Sequence, residues 1–308
     1  MPMKDVYTLE DLRDWLRATA DEPLPVRLAV IGDPIAHSRS PAMHNAALEK
    51  VGIPARYTRL HVRDHELEEL LKLLPRLGFF GVNVTLPHKT AVLPHLSKVS
   101  DAARKIGAVN TIVVGEHGTL HGFNTDGPGF VRAIRADFGV DIRDLRVMVL
   151  GAGGGAGRAI SVQCAMEGCE RLVLVNRTIE KAQGLVAELQ PLMTSTRLLG
   201  PMARLEACPW NDAALLRQLD QIDLVVNASS VGLKSGDPAP LPARLLRPAH
   251  LVYDTIYTAA RTPLIRAAEE AGARRANGMS MLLHQGALAF EIWFQQTAPL
   301  EAMRATLG

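Results

Sequence analysis

The chain has little of what marks secreted, membrane or nucleic-acid-binding proteins. Only three of its 308 residues are cysteines, Cys164, Cys169 and Cys208. They form no C-x-x-C pair and leave an odd one over, which argues against a disulfide framework and against a structural zinc site. A reducing cytoplasm is the expected location. No apolar run approaches bilayer length, and the opening MPMKDVYTLEDLRDWLR lacks the apolar centre and small-residue cleavage site of a signal peptide. Charge of one sign is missing too: 34 Lys and Arg face 32 Asp and Glu, a formal net charge of +2. With those charges mixed along the chain, no concentrated field points to nucleic acid or to an anionic membrane.

What is present describes an ordinary folded protein with room for two α/β domains. Residues 1–26 read as an extension docked on the outside, a short amphipathic helix with Leu9, Leu12, Trp15 and Leu16 on one stripe, then a linker at Pro23 and Pro25. From Arg27, short β-branched runs alternate with amphipathic stretches: RLAVIG, SPAMHNAALEKVG, ARYTRLHV, DHELEELLKLLPRLG, FFGVNVT. This is a βαβαβ series, implying a mainly parallel sheet covered by helices. A second series starts at RVMVLGAGGGAG and runs through RLVLVNR, a helix over 178–189, DLVVNAS, LVYDTIY and a helix around 262–271. The final apolar helix, about 279–297, is expected to return to the first domain and to leave a ligand cleft between the two. The fold class is therefore α/β, with a first domain at 27–125 plus 279–308 and a second, Rossmann-like domain at 126–278.

The strand RVMVL leads into Gly151-Ala152-Gly153-Gly154-Gly155-Ala156-Gly157-Arg158 and then into a helix. In that context glycines permit a tight turn and close backbone approach, while the helix N-terminus offers free N–H groups to a pyrophosphate. The next strand, RLVLV, ends at Asn176-Arg177-Thr178, where an NAD-binding domain usually places a carboxylate for the ribose hydroxyls. Arg177 instead offers a planar donor fork to a 2′-phosphate, with Lys181 one turn further on and Thr178 as a hydroxyl donor. The cofactor expected is NADP. Since a charged hydrogen bond is worth roughly 1.5–3 kcal/mol, the preference over NAD should reach about ten-fold to a hundred-fold.

In the first domain, four polar segments fall at strand ends and loops: GDPIAHSRSP, NVTLPHK, GAVNT and NTD. A parallel sheet gathers the carboxyl ends of its strands on one edge, so Ser38, Ser40, Asn83, Thr85, Lys89, Asn110 and Asp126 are candidates to converge. Hydroxyls and amides suit the oxygens of a polyhydroxylated acid, and an ammonium suits proton transfer. His37, His44, His88 and His121 match no metal-ligand spacing, and no metal is expected. Tyr257 and Met279 are candidates to line the cleft.

The segments GDPIAHSRSPAMHNAAL, GVNVTLPHK, IGAVNT, GFNTDGPG, GAGGGAGRA, NRT, NASSVGL and HQGALAFEIW, in this order from Gly32 to Trp293, resemble the shikimate dehydrogenase family. The resemblance implies reversible, NADP-dependent oxidation of shikimate to 3-dehydroshikimate, the reductive direction serving chorismate and aromatic amino-acid biosynthesis. It also implies that Ser38 and Ser40 bind the substrate carboxylate, that Asn83, Thr85, Asn110 and Gln285 bind ring hydroxyls with Tyr257 beside them, and that Lys89 and Asp126 are the catalytic pair. The implied cofactor set is Gly151, Ala152, Gly153, Gly154, Gly155, Ala156, Asn176, Arg177, Thr178, Lys181, Asn227, Ser229, Gly278 and Met281.

The chain departs from the family pattern in a Gly-rich turn one residue longer than usual. Lys181 stands where many members carry Arg, Ala259 where Pro is usual, and Leu233 where Met often borders the nicotinamide. Three rival readings remain open: a quinate/shikimate dehydrogenase paralogue using NAD or NADP, a non-catalytic sensor of a shikimate-type ligand, and a folate-type methylene dehydrogenase. A homodimer is compatible with each.

Overall fold

The computed structural model describes residues 4–193, 203–257 and 261–307; Ala259 lies outside them. The chain divides into two compact units, Met1–Thr125 with Gln285–Gly308, and Asp126–His284.

The first unit holds six strands: β1 (Val26–Gly32), β2 (Arg56–His61), β3 (Gly81–Val84), β4 (Lys98–Val99), β5 (Thr111–Val114) and β6 (Leu120–Phe123), in the order β2-β1-β3-β5-β6-β4. β1 runs parallel to β2 and β3, and β4 runs parallel to β6, whereas β5 is antiparallel to both its neighbours. The near-continuous apolar run of β1 is what a strand covered on both faces requires. The helices Ser40–Val51 and Leu67–Arg76 make its crossovers. The second buries Leu67, Leu70, Leu71 and Leu74, one helical stripe, against the sheet.

The extension is more deeply built in than its sequence suggests. Tyr7, Leu9, Leu12 and Trp15 are buried in the same core cluster as Leu60, Leu70 and Phe79. Leu16 does not share their stripe and is 88% exposed. The helix Leu9–Arg13 stops at Asp14, whose backbone (φ −127, ψ 51) is non-helical, and restarts as Trp15–Ala18. That break turns Trp15 inward and Leu16 outward.

The second unit carries β7 (Arg146–Leu150), β8 (Arg171–Asn176), β9 (Leu205–Pro209), β10 (Leu224–Asn227), β11 (Leu251–Asp254) and β12 (Arg274–Asn277), all parallel, in the order β12-β11-β10-β7-β8-β9. Counted from the first strand this is 3-2-1-4-5-6 reversed, the doubly wound dinucleotide-binding order, with its topological switch between β7 and β10. The last apolar helix spans Met279–Phe294. The division between the units falls within it, so that Gln285 onward belongs to the first unit. There Trp293 Nε1 donates to the Ile112 carbonyl at 3.0 Å. A Cβ at Gly286 would lie 2.1 Å from Met43 Cε, so the glycine lets this helix sit close on Ser40–Val51. No helix among the described residues is long and apolar enough to cross a membrane.

Candidate functional site

One edge of the first sheet collects the polar segments. β1 and β3 are adjacent and parallel, so the loops that leave Gly32 and Val84 start side by side. β5 begins, and β6 ends, on that same edge because the two are antiparallel. The chain segments 33–40, 85–89, 110–111 and 124–125 therefore meet there.

Asn83 and Asn110 form the centre of a buried hydrogen-bonded network. Asn83 Nδ2 donates to the Asn110 carbonyl (3.2 Å) and to Thr111 Oγ1 (3.1 Å). Its Oδ1 accepts from the Tyr57 hydroxyl at 2.7 Å. Asn110 Nδ2 donates to Thr125 Oγ1 (2.9 Å), and its Oδ1 accepts from the Thr125 amide (2.8 Å). Both hydrogens of the Asn83 amide are thus used inside the protein, and the capacity it retains is a lone pair on Oδ1. Burial raises the Tyr57 hydroxyl well above the ordinary range, so it stays protonated and keeps donating. His44 stacks on Tyr57 with ring centroids 4.5 Å apart, and burial lowers its pKa to about 3, which leaves it neutral.

Ser40 opens the helix Ser40–Val51 and is buried, and its amide donates to Ser38 Oγ at 3.3 Å. The Thr85 amide donates to the Ile31 carbonyl (2.9 Å), which fastens the loop after β3 to β1. Lys89 is half-buried in the short helix His88–Ala91 that follows, and its carbonyl accepts from the Val109 amide at 2.8 Å. Gln285 is half-buried on the Met279–Phe294 helix, beside the close approach at Gly286. His44 lies in the aromatic stack, buried His88 has its Nε2 2.6 Å from the Val62 carbonyl, and among the described residues no three metal-ligating side chains group together. Tyr57 was not singled out from sequence, its only signal being a polar tip on an alternating strand, and Thr111 and Thr125 were covered only as parts of the segments GAVNT and NTD.

In the second unit a cavity of about 270 Å³ lies at the carboxyl ends of β7 and β8, lined by Gly151, Gly153, Gly154, Asn176, Arg177, Thr178, Lys181, Trp210 and the 228–231 loop. Gly151 has φ +84, and a side chain there would strike Ser229. A Cβ at Gly157 would lie 2.2 Å from the Gly151 carbonyl, so this glycine lets the helix Gly155–Glu167 start tight against the turn. Gly155 has nothing within 4 Å of such a Cβ, and Gly154 meets only one atom, at 3.5 Å. These two glycines therefore sit in open space, and the helix behind them keeps its close packing.

Arg177 and Lys181 are exposed on the cavity wall and form no ion pair among the described residues. Asn176, in the place of the usual carboxylate, has its Nδ2 on the Thr178 carbonyl (2.9 Å) and its Oδ1 3.4 Å from the Gly153 amide. The wall is therefore positive, with no acidic group among its described lining residues to repel a phosphate.

The remaining expected residues have these surroundings. Asn227 is fully buried: its amide donates to Asp254 (2.9 Å) and to the Val231 carbonyl (3.2 Å), and its Oδ1 accepts from the Ser229 amide and hydroxyl. It shapes the 228–231 loop from beneath, and the Ser229 hydroxyl is turned to it. A Cβ at Gly278 would lie 2.0 Å from the Thr255 carbonyl. The Met281 amide donates to the Tyr253 hydroxyl at 3.2 Å. Tyr257 is 38% exposed. Asp126 is buried at the start of the helix Asp126–Phe138, where the helix dipole favours a carboxylate.

Comparison with known proteins agrees with this architecture. Three family models match successive parts of the chain: the shikimate dehydrogenase substrate binding domain over residues 30–112, shikimate / quinate 5-dehydrogenase over 133–208, and the shikimate 5'-dehydrogenase C-terminal domain over 278–307. The NADP(+) shikimate dehydrogenase of Symbiobacterium thermophilum is 41% identical over 90% of this chain and 92% of its own length. Among solved structures, the shikimate 5-dehydrogenase of Thermus thermophilus in complex with NADP(H) and shikimate is 38% identical, with a TM-score of 0.79 over 92% of this chain and 98% of that one. The quinate dehydrogenase of Corynebacterium glutamicum in complex with NAD has a TM-score of 0.80 over 92% and 98%, at 28% identity, so the backbone alone does not separate the two specificities. The first of these likenesses, together with the ordered family models, decides the matter: the chain belongs to the shikimate dehydrogenase family of NADP-dependent oxidoreductases.

Proposed function

We propose that the protein interconverts shikimate and 3-dehydroshikimate with NADP, working in cells as a 3-dehydroshikimate reductase on the way to chorismate and the aromatic amino acids. The observation that carries this reading is the sheet edge on which Ser38, Ser40, Asn83, Thr85, Lys89 and Asn110 all lie, in a chain of this family. Arg177 and Lys181, without an ion-pair partner among the described residues on the wall of the Gly-rich cavity, fit a cofactor bearing a 2′-phosphate.

When bound, NADP supplies the hydride acceptor or donor, and the protein provides orientation and a proton route. Ser38 and Ser40 hold the carboxylate. Asn83 accepts a hydrogen bond from a ring hydroxyl through its remaining lone pair, while Thr85, Asn110 and Gln285 fix the others. Lys89 takes the proton of the reacting hydroxyl on oxidation and returns it on reduction, and Asp126 orients that hydroxyl. The folate-type reading has no support in a cavity and sheet edge so arranged.

Initial rates followed at 340 nm, crossing shikimate and quinate with NADP⁺ and NAD⁺, test the assignment. Turnover confined to shikimate with NADP⁺ is expected. Comparable rates with quinate or NAD⁺ would move the chain to the paralogue reading, and no turnover with any pair would leave a ligand sensor.

A further inference from the structure

β2 is one edge strand of the first sheet, and the extension covers its outer side at one point. The Tyr7 amide donates to the Arg59 carbonyl (2.9 Å) and the His61 amide to the Tyr7 carbonyl (2.8 Å), a parallel bridge opposite Leu60. Tyr7 is held firmly in turn. Its hydroxyl donates to Glu22 Oε1 at 2.6 Å, and its ring meets Trp15 edge-on at 5.2 Å within the core.

Strand alternation sends Tyr57, Arg59 and His61 to the face opposite Leu60. All three grip the candidate substrate site. Tyr57 donates to Asn83. Arg59 donates to the Ser38 carbonyl through both Nη2 (2.6 Å) and Nε (3.1 Å). Its third nitrogen, Nη1, reaches the Asp5 carbonyl of the extension at 3.5 Å. His61 Nε2 lies 2.8 Å from Asp33 Oδ1, at the start of the loop that carries Ser38. Two charged-donor bonds converging on one carbonyl fix the main chain at Ser38 more narrowly than a single bond would.

We infer that Arg59 is a positioning residue for substrate carboxylate recognition: it locks the Ser38 main chain, from a strand that the extension pins at Tyr7. This rests on the proposed role of Ser38, and the test separates the two. Full-length Arg59→Gln, Arg59→Lys and Ser38→Ala variants would be assayed with shikimate, with shikimate methyl ester and with NADP⁺.

Arg59→Gln is expected to raise the KM for shikimate about ten-fold, the loss of roughly one charged hydrogen bond, with the NADP⁺ KM unchanged. Its preference for shikimate over the methyl ester should shrink, and Arg59→Lys should recover part of it, since an ammonium still reaches the carbonyl. A wild-type KM and ester preference in Arg59→Gln, with both altered in Ser38→Ala, overturns the positioning role and spares the reading of Ser38. Wild-type behaviour in Ser38→Ala overturns that reading and this inference with it. Equal rises in both KM values in Arg59→Gln would mean general loosening, and also overturn it.

Discussion

On the proposed reading, the two units recognise their ligands by opposite means. The second offers its ligand what is already free: main-chain N–H groups at a helix start and two exposed cations, Arg177 and Lys181, on a cavity wall. The first offers side chains that are already spoken for. Asn83, Asn110, Thr111 and Thr125 are all buried and bonded to one another before any substrate arrives. A site of the first kind tolerates local change, because each group acts on its own. In the second kind each group fixes its neighbour's orientation, so the geometry is set in advance and every loss leaves another buried group unsatisfied.

The sharpest way to break this comparison is to remove the one group in the first unit assigned to proton transfer. Lys89→Ala is expected to lower kcat by about 10²–10⁴-fold, the usual worth of a positioned acid or base. Affinity for NADP⁺, measured by fluorescence titration, should stay at the wild-type value, since every cation on the cavity wall is intact. Wild-type turnover would remove Lys89 from the chemistry, and a parallel loss of cofactor affinity would show that the two recognition sites are not separable.

The converse change belongs to the second unit. Arg177→Ala should raise the KM for NADP⁺ by about ten-fold to a hundred-fold while leaving that for NAD⁺ and shikimate nearly untouched, because one charged hydrogen bond to a phosphate is lost and nothing buried is exposed. Equal effects on NADP⁺ and NAD⁺ would place Arg177 away from the 2′-phosphate and leave Lys181 as the selector.

The same contrast governs how much could be read from the sequence. The cavity of the second unit takes most of its lining from two short contiguous stretches, 151–154 and 176–181, whose residue types carry the chemistry at fixed spacing, with Trp210 and the 228–231 loop completing it. Arg177 and the Gly-rich turn were therefore visible at once. The polar edge of the first unit draws on segments from 38 to 125, and only the strand order brings them together; the polar loops were legible, their bonding was not. Tyr57 and Arg59 looked like ordinary alternating residues of an edge strand, since nothing local shows that one bonds Asn83 and the other Ser38. Asn227, one of the cofactor residues the resemblance implies, shows a part the sequence does not reveal: both ends of its amide are used beneath the 228–231 loop. β12 went unseen because Arg274-Arg275-Ala276-Asn277 has no apolar face: it is an edge strand whose outer residues are solvated. Leu16 was misplaced because a helical stripe assumes an unbroken helix, and Asp14 interrupts this one.

The smallest expected effect sharpens the comparison most finely, because it concerns a glycine of the lengthened Gly-rich turn that has open space around it. Gly155 does not have a positive φ, and a Cβ there would meet nothing within 4 Å. As the first residue of the helix it is also a place where alanine costs the unfolded chain some freedom, so Gly155→Ala should hold or raise stability by up to about 0.5–1 kcal/mol. The KM for NADP⁺ should remain within about two-fold of wild type, well under one charged hydrogen bond. Gly157→Ala provides the contrast, for its Cβ would be driven to 2.2 Å from the Gly151 carbonyl and would push the helix start away from the turn. A stable Gly155→Ala protein with a much raised KM for NADP⁺ would mean that the pyrophosphate passes over Gly155 itself. The lengthened turn would then be part of the recognition surface, with that glycine required for close approach.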